Sequence, residues 1–257
     1  MLDHKLAGKV VVIGGGAKNL GGLIARQLAE GGAAAIAVHY NSDATRPAAD
    51  ETVAAVKAAG ADVVAIQCDL TKVSEVTRLF DETIKRFGKV DIAINTTGMV
   101  IKKPFTEVPE EDYDKIFAIN SKAAFFFMQE AGKKLSEGGK ICTILTSLLG
   151  AFTGYYSIYA GSKSPVEHFT RAASKEFGPR GISVTAVAPG PMDTAFFYGQ
   201  ESKEAVAYHS AAADLSKYSK TGLTDIEDIV PLVKFLVTDG WWVTGQTILA
   251  NGGYTTK

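Results

Sequence analysis

The feature that most constrains this chain is the alternation of short, almost continuously apolar runs with longer segments of helical period. Strand-like runs fall at 9–13, 34–39, 63–68, 90–94, 140–145, 183–187 and 247–249. Helical patterns fall between them at 20–30, 50–59, 73–87, 111–135, 157–177 and 226–237. Leu23, Ile24 and Leu28 share one face of the first, and Val76, Leu79, Phe80 and Ile84 one face of the third. A strand that is apolar at successive positions is buried on both faces, which suits a parallel sheet covered by helices. Strict alternation over 1–257 predicts a single-domain α/β fold: a doubly wound, parallel, seven-stranded sheet with helices on both faces. Segment 195–224, polar and rich in Ala and Ser, breaks the rhythm and is expected to form a lid of short helices.

Composition narrows the class of function. Hydrophobic residues make up 46% and charged residues 21%, as in an ordinary soluble globular protein. A net charge of -1 offers nothing global to nucleic acid or to an anionic membrane. The first residues lack the apolar run of a signal peptide, and no stretch of about 18 apolar residues occurs. Cys68 and Cys142, each inside an apolar run, read as reduced core residues of a cytoplasmic protein. His4, His39, His168 and His209 have no ligand spacing, so no metal site is expected.

After the first strand comes Gly14-Gly15-Gly16-Ala17-Lys18-Asn19-Leu20-Gly21-Gly22, running directly into a helix. Glycines there let the backbone turn sharply and approach a pyrophosphate, and the helix N-terminus favours its charge. The spacing resembles the Thr-Gly-x-x-x-Gly-x-Gly loop of the short-chain dehydrogenase/reductase family, a Rossmann-type fold. Gly15 and Gly21 match, whereas Gly14 replaces Thr and Asn19 the middle Gly. Asn tolerates positive φ better than most residues, so Asn19 can keep the turn. The second strand ends His39-Tyr40-Asn41-Ser42, without the acid that commonly receives the ribose hydroxyls of NAD. With Lys18 in the loop, this favours the 2′-phosphate of NADPH, Asp43 being the nearest acid to the contrary. The resemblance further implies adenine contacts at Asp69 and Leu70. It places a ribose turn at Asn95-Thr96-Thr97-Gly98, where Asn95 and Gly98 match the family.

Tyr159-Ala-Gly-Ser-Lys163 puts a phenol and an ammonium on one helix face. A cation near a phenol lowers its pKa from about 10, making it a usable acid/base. Ser147 follows the fifth strand, where ligands of such sheets bind, and can donate to a developing oxyanion. With Asn120 upstream, these residues match the family's catalytic tetrad Asn120, Ser147, Tyr159 and Lys163. The resemblance implies that Lys163 also holds the nicotinamide ribose and that Asn120 positions a relay water. It further implies that Pro189, Gly190, Met192 and Thr194 present the nicotinamide. Asn251 stands where the family has Asp, a change expected near a subunit contact.

The substrate pocket is expected from Leu148, Leu149, Tyr155, Tyr156, Met192 and the run Phe196-Phe197-Tyr198, which suits an apolar or aromatic carbonyl/alcohol substrate. The resemblance implies a homotetramer through the two long helices, with Phe125, Phe126, Phe127 and Met128 on the first. The reading is therefore an NADPH-dependent reductase of a ketone or aldehyde, with NADH less favoured. One alternative is a 3-oxoacyl-carrier-protein reductase, docked through Lys133, Lys134 and Arg171. Others are an NAD-dependent alcohol or polyol dehydrogenase and a non-catalytic nucleotide sensor.

Overall fold

The first strand, β1 (Val10–Gly14), is buried at every residue, and its side chains alternate between two cores. Val11 and Ile13 point into one, with Ile36 and Val38 of β2 (Ala35–Tyr40) and Ile92 and Ile94 of β4 (Ile92–Asn95). Val12 points into the other, with Ala37, Ala93 and Ile141. That two-sided burial is why the strands read as continuous apolar runs. With β3 (Asp62–Gln67), β5 (Lys140–Ile144), β6 (Ser183–Pro189) and β7 (Thr247–Ala250), they form one seven-stranded sheet. Its order is β3-β2-β1-β4-β5-β6-β7, and every pairing is parallel. This computed structural model describes residues 4–151 and 153–256, so the two ends of the expected 1–257 unit, and Phe152, lie outside the described residues.

One core is closed by α1 (Asn19–Glu30), α2 (Arg46–Ala58) and α9 (Ile226–Leu236). The other is closed by α3 (Val73–Phe87), α5 (Ala123–Lys134) and α6 (Ser157–Phe177). The long helix expected over 111–135 is instead α4 (Glu110–Phe117) and α5, joined by a π-helical turn at Ala118–Lys122. Such wide turns often mark functional positions, and this one carries Asn120. Segment 195–224 holds α7 (Ala195–Tyr198), α8 (Lys203–Ala212) and a 3-10 turn at Ser216–Tyr218, the short helices that its composition implied. Among the described residues, no helix is long and apolar enough to cross a membrane.

Candidate active site

The strand order reverses between β1 and β4, the place where ligands of open α/β sheets bind. Gly14 lies opposite Asn95, so the turns after these two strands leave the sheet side by side. Gly15 takes φ +73, and Asn19 takes φ 49, the left-handed turn expected of it. A Cβ at Gly15 would lie 2.7 Å from Thr96 Oγ1, and one at Gly21 would overlap the Gly15 carbonyl oxygen. The Thr96 hydroxyl lies 2.9 Å from the Gly14 carbonyl and 3.1 Å from that of Gly15, donating to both. Thr96, one of the two threonines that depart from the family pattern, thus ties the glycine loop to the β4 turn.

His39 performs a similar tie from β2. The Gly15 N–H donates to its Nδ1 at 2.9 Å, so Nε2 carries the proton and donates to the Cys68 carbonyl at 2.8 Å. Burial lowers its pKa to about 4, fixing this neutral tautomer. The tie from His39 to the glycine loop was not foreseen in the sequence; a histidine inside an otherwise apolar buried strand was the available signal.

The cleft above this loop is lined by Gly15, Lys18, Asn19, Leu20, Gly21, Tyr40 and Asn41. Gly98, Tyr159, Lys163, Met192 and Thr194 line it as well. Other residues assigned to it from the sequence do not. Ser42 instead anchors a 3-10 turn, its N–H donating to Thr45 Oγ1 at 3.2 Å. Asp69 accepts from the N–H and hydroxyl of Thr71, which hold its carboxyl below the usual range. Leu70 is core, and buried Asn95 uses its side-chain oxygen to cap the Thr97 N–H. Pro189 and Gly190 border the neighbouring cavity. Asp43 is exposed and does not line the cleft, which leaves its lip without an acid. Lys18 is exposed there and makes no ion pair among the described residues. A second cation, unforeseen in the sequence, stands nearby: Arg46 donates to the Tyr40 hydroxyl at 3.0 Å and pairs with Asp50.

The second cavity, about 640 Å³ and open to solvent, has largely apolar walls with a few polar groups. Leu148, Tyr156, Met192, Phe196 and Phe197 line it as expected, beside Ser147 and Tyr159. Leu149 turns instead into the core behind β5, and Tyr155 is exposed, held in a left-handed turn at φ 71. Tyr198 points away, its hydroxyl donating to Asp193 at 2.8 Å. Thr153, Gln200, His209 and Tyr254 also face the cavity. They come from three separated segments, and no local spacing joined them to the site.

Tyr159, Met192, Thr194 and Phe196 line both cavities, so the two meet at the Tyr159 phenol. Ser147 opens a short 3-10 turn after β5, capped where the Leu148 N–H donates to Thr146 Oγ1 at 3.3 Å. Burial pushes the Tyr159 phenol up to about 12, and a hydrogen bond from Thr146 draws it partly back. Burial likewise lowers Lys163 to about 8. The expected lowering of the phenol by Lys163 is not what the geometry gives. The ammonium donates to the Ile144 carbonyl at 3.0 Å, and desolvation governs both groups. Asn120 is committed as well. Its Nδ2 donates to the Met99 carbonyl and to Ser162 Oγ, both at 2.9 Å, and its Oδ1 accepts from the Met99 N–H at 2.9 Å. The amide thereby pins the turn after β4, where a Cβ at Gly98 would lie 3.0 Å from Lys163 Nζ.

A glycine-loop cleft joined at a buried Tyr-Lys pair to an apolar cavity defines a dinucleotide-fold protein of oxidoreductase type. Comparison with known proteins agrees. A family model described as Enoyl-(Acyl carrier protein) reductase matches residues 15–255. The hydroxynaphthalene reductase-like protein Arp2 of Metarhizium brunneum is 39% identical, over 98% of this chain and 97% of its own. A short-chain dehydrogenase/reductase of Pestalotiopsis microspora is 36% identical, over 98% and 97%. A Burkholderia cenocepacia dehydrogenase solved with bound NADP is 66% identical, with a TM-score of 0.99 over 100% of this chain and 97% of that one. The chain belongs to the short-chain dehydrogenase/reductase family.

Proposed function

We propose that this chain is an NADPH-dependent reductase of cyclic or aromatic ketones, working through Tyr159 as general acid. The observation that carries the reading is the position of Tyr159 at the junction of the glycine-loop cleft and the aromatic cavity. NADP(H) fits the first cleft: the loop leaves no room for a Cβ at Gly21, and Lys18 lies at a lip without an acid. Gly15, Asn19, Leu20 and Gly21 would pass the pyrophosphate, while Lys18, Tyr40 and Asn41, with Arg46 behind Tyr40, would receive the 2′-phosphate. Met192 and Thr194 would hold the nicotinamide. The relative bound to NADP and the hydroxynaphthalene reductase-like relatives support the cofactor and the aromatic substrate.

When bound, NADPH supplies a hydride to the carbonyl carbon. The Ser147 hydroxyl donates to the carbonyl oxygen and orients it at the junction. Tyr159, protonated throughout the neutral range, gives its proton to that oxygen as the alcohol forms. Lys163, cationic below about 8, would hold the ribose hydroxyls. Asn120 is a positioning residue, since its amide fixes the turn that supports Lys163. Segment 195–224, which supplies Phe196, Phe197, Gln200 and His209 to the cavity wall, acts as the lid.

The carrier-protein alternative draws on the description of the matching family model, but the cations meant to dock a carrier are engaged. Lys133 pairs with Glu130, Lys134 with Asp81 and Glu130, and Arg171 with Glu167. Steady-state reduction of cyclic ketones, polyol-derived ketones and oxoacyl thioesters with NADPH or NADH separates the readings. Bicyclic ketones with NADPH are expected to be turned over best. Preference for NADH, or for a polyol or thioester substrate, overturns the assignment.

A further inference from the structure

Three of the polar residues that line the aromatic cavity away from Ser147 and Tyr159, Thr153, His209 and Tyr254, form a connected set. His209 on α8 is buried, with Phe197 packed edge-on to its ring at a centroid distance of 5.6 Å. Its Nδ1 lies 3.0 Å from the Tyr254 hydroxyl. Tyr254 reaches the cavity from the tail beyond β7, folded back by Asn251 and tethered by the Thr255 hydroxyl, which donates to the Gly150 carbonyl at 2.8 Å. The expected oddity at Asn251 thus helps to place Tyr254. Burial raises the Tyr254 phenol, and a hydrogen bond with Thr153 draws it partly back.

The Tyr254 hydroxyl and His209 Nδ1 share one hydrogen, supplied by the phenol or by the ring according to the imidazole tautomer. Burial, opposed by the charge of Glu201, lowers the pKa of His209 and favours the neutral ring. Nε2 has no hydrogen-bond partner among the described residues and serves as donor in one tautomer and acceptor in the other. A substrate hydroxyl, which both donates and accepts, satisfies Nε2 in either tautomer, and leaving that nitrogen unmatched in an apolar site costs binding.

We infer that His209 is a specificity-determining residue whose Nε2 hydrogen-bonds a hydroxyl of the substrate, with Tyr254 positioning the ring. The substrate class is then a cyclic or aromatic ketone carrying a phenolic hydroxyl besides the reacting carbonyl. This rests on the ketone-reductase reading, which it narrows.

The test compares β-tetralone with its analogues hydroxylated on the distal ring. The enzymes are wild type, His209→Leu, His209→Gln and Tyr254→Phe, with thermal midpoints measured to show that each variant folds. Wild type is expected to favour one hydroxylated ketone through KM, by roughly tenfold or more. His209→Leu should erase that preference by raising KM for the hydroxylated ketone several-fold more than KM for plain β-tetralone. His209→Gln, which keeps a donor, should restore part of it, and Tyr254→Phe should weaken it. No preference in wild type, or an equal rise of KM for both ketones in His209→Leu, overturns the inference and leaves the reductase reading standing.

Calorimetric binding of a naphthol and of dihydroxynaphthalenes to the NADP-loaded protein tests the site without turnover. A dihydroxy preference that disappears in His209→Leu supports His209 even if no ketone is reduced, an outcome that would sink only the reductase reading. Equal binding of naphthol and dihydroxynaphthalenes by wild type overturns the inference.

Discussion

Tyr159 and Lys163 are moved in opposite directions by one cause, the loss of water around each. The phenol keeps its proton well above neutrality, so the general acid proposed for the reaction is available throughout that range. The ammonium loses its charge as pH rises through about 8, and with it the charge-assisted hold on the ribose hydroxyls proposed for it. Reduction measured as kcat/KM should therefore fall above about 8 in the free enzyme; a profile flat through that region would contradict the role given to Lys163. His39 gives a stability counterpart. Its folded pKa, about 4, lies below the unfolded value of 6.5, so between the two the unfolded chain binds a proton that the native one does not. The full stabilisation is present above about 6.5 and is lost as pH falls towards 4, a change on the order of 3 kcal/mol. Denaturant unfolding near those two pH values measures it. His39→Asn, which can still accept from the Gly15 N–H, should flatten the dependence.

Among the elements, the glycine loop and the helix bearing Tyr159 and Lys163 were legible because their information is local. A turn needing positive φ shows itself in Gly15 and Asn19, and a phenol four residues before an amine needs only helical spacing. The alternating burial of β1 was equally local. What was not legible comes from convergence. Thr153, His209 and Tyr254 are far apart in sequence and meet only because the tail folds over the lid. Arg46 returns to Tyr40 only because a 3-10 turn at Asp43–Thr45 intervenes. The π-helical turn at Ala118–Lys122 adds width to a helix without altering its apolar pattern, so 111–135 read as continuous. Two predictions belong here. Gly21→Ala should weaken NADPH binding by at least tenfold, since its Cβ displaces the Gly15 carbonyl; unchanged affinity by fluorescence titration would oppose the loop assignment. Lys18→Ala should cut the NADPH-over-NADH preference by roughly tenfold, read from kcat/KM for the two cofactors, with NADH little affected.

On the scale of the whole molecule, two helical layers bury both faces of the sheet and leave the loops at one end free to build the site. Phe127 and Met128 of α5 are core, whereas Phe125 is partly exposed and meets Phe126 and Phe169 edge-on at centroid distances of 5.2 and 5.1 Å. We propose that this outer face of α5 and α6 makes the tetramer contact. Light scattering should give the mass of four chains for the wild type and a smaller one for Phe125→Glu, while a wild-type monomer would refute it. Tyr159 is proposed to supply the proton at the meeting point of the two cavities. The most direct test is Tyr159→Phe, with NADPH binding measured by fluorescence and ketone reduction by loss of the dihydronicotinamide absorbance. With Tyr159 as the acid, NADPH affinity should stay within about threefold of wild type and turnover should fall by at least a hundredfold. Turnover close to wild type, with the cofactor bound, would contradict it.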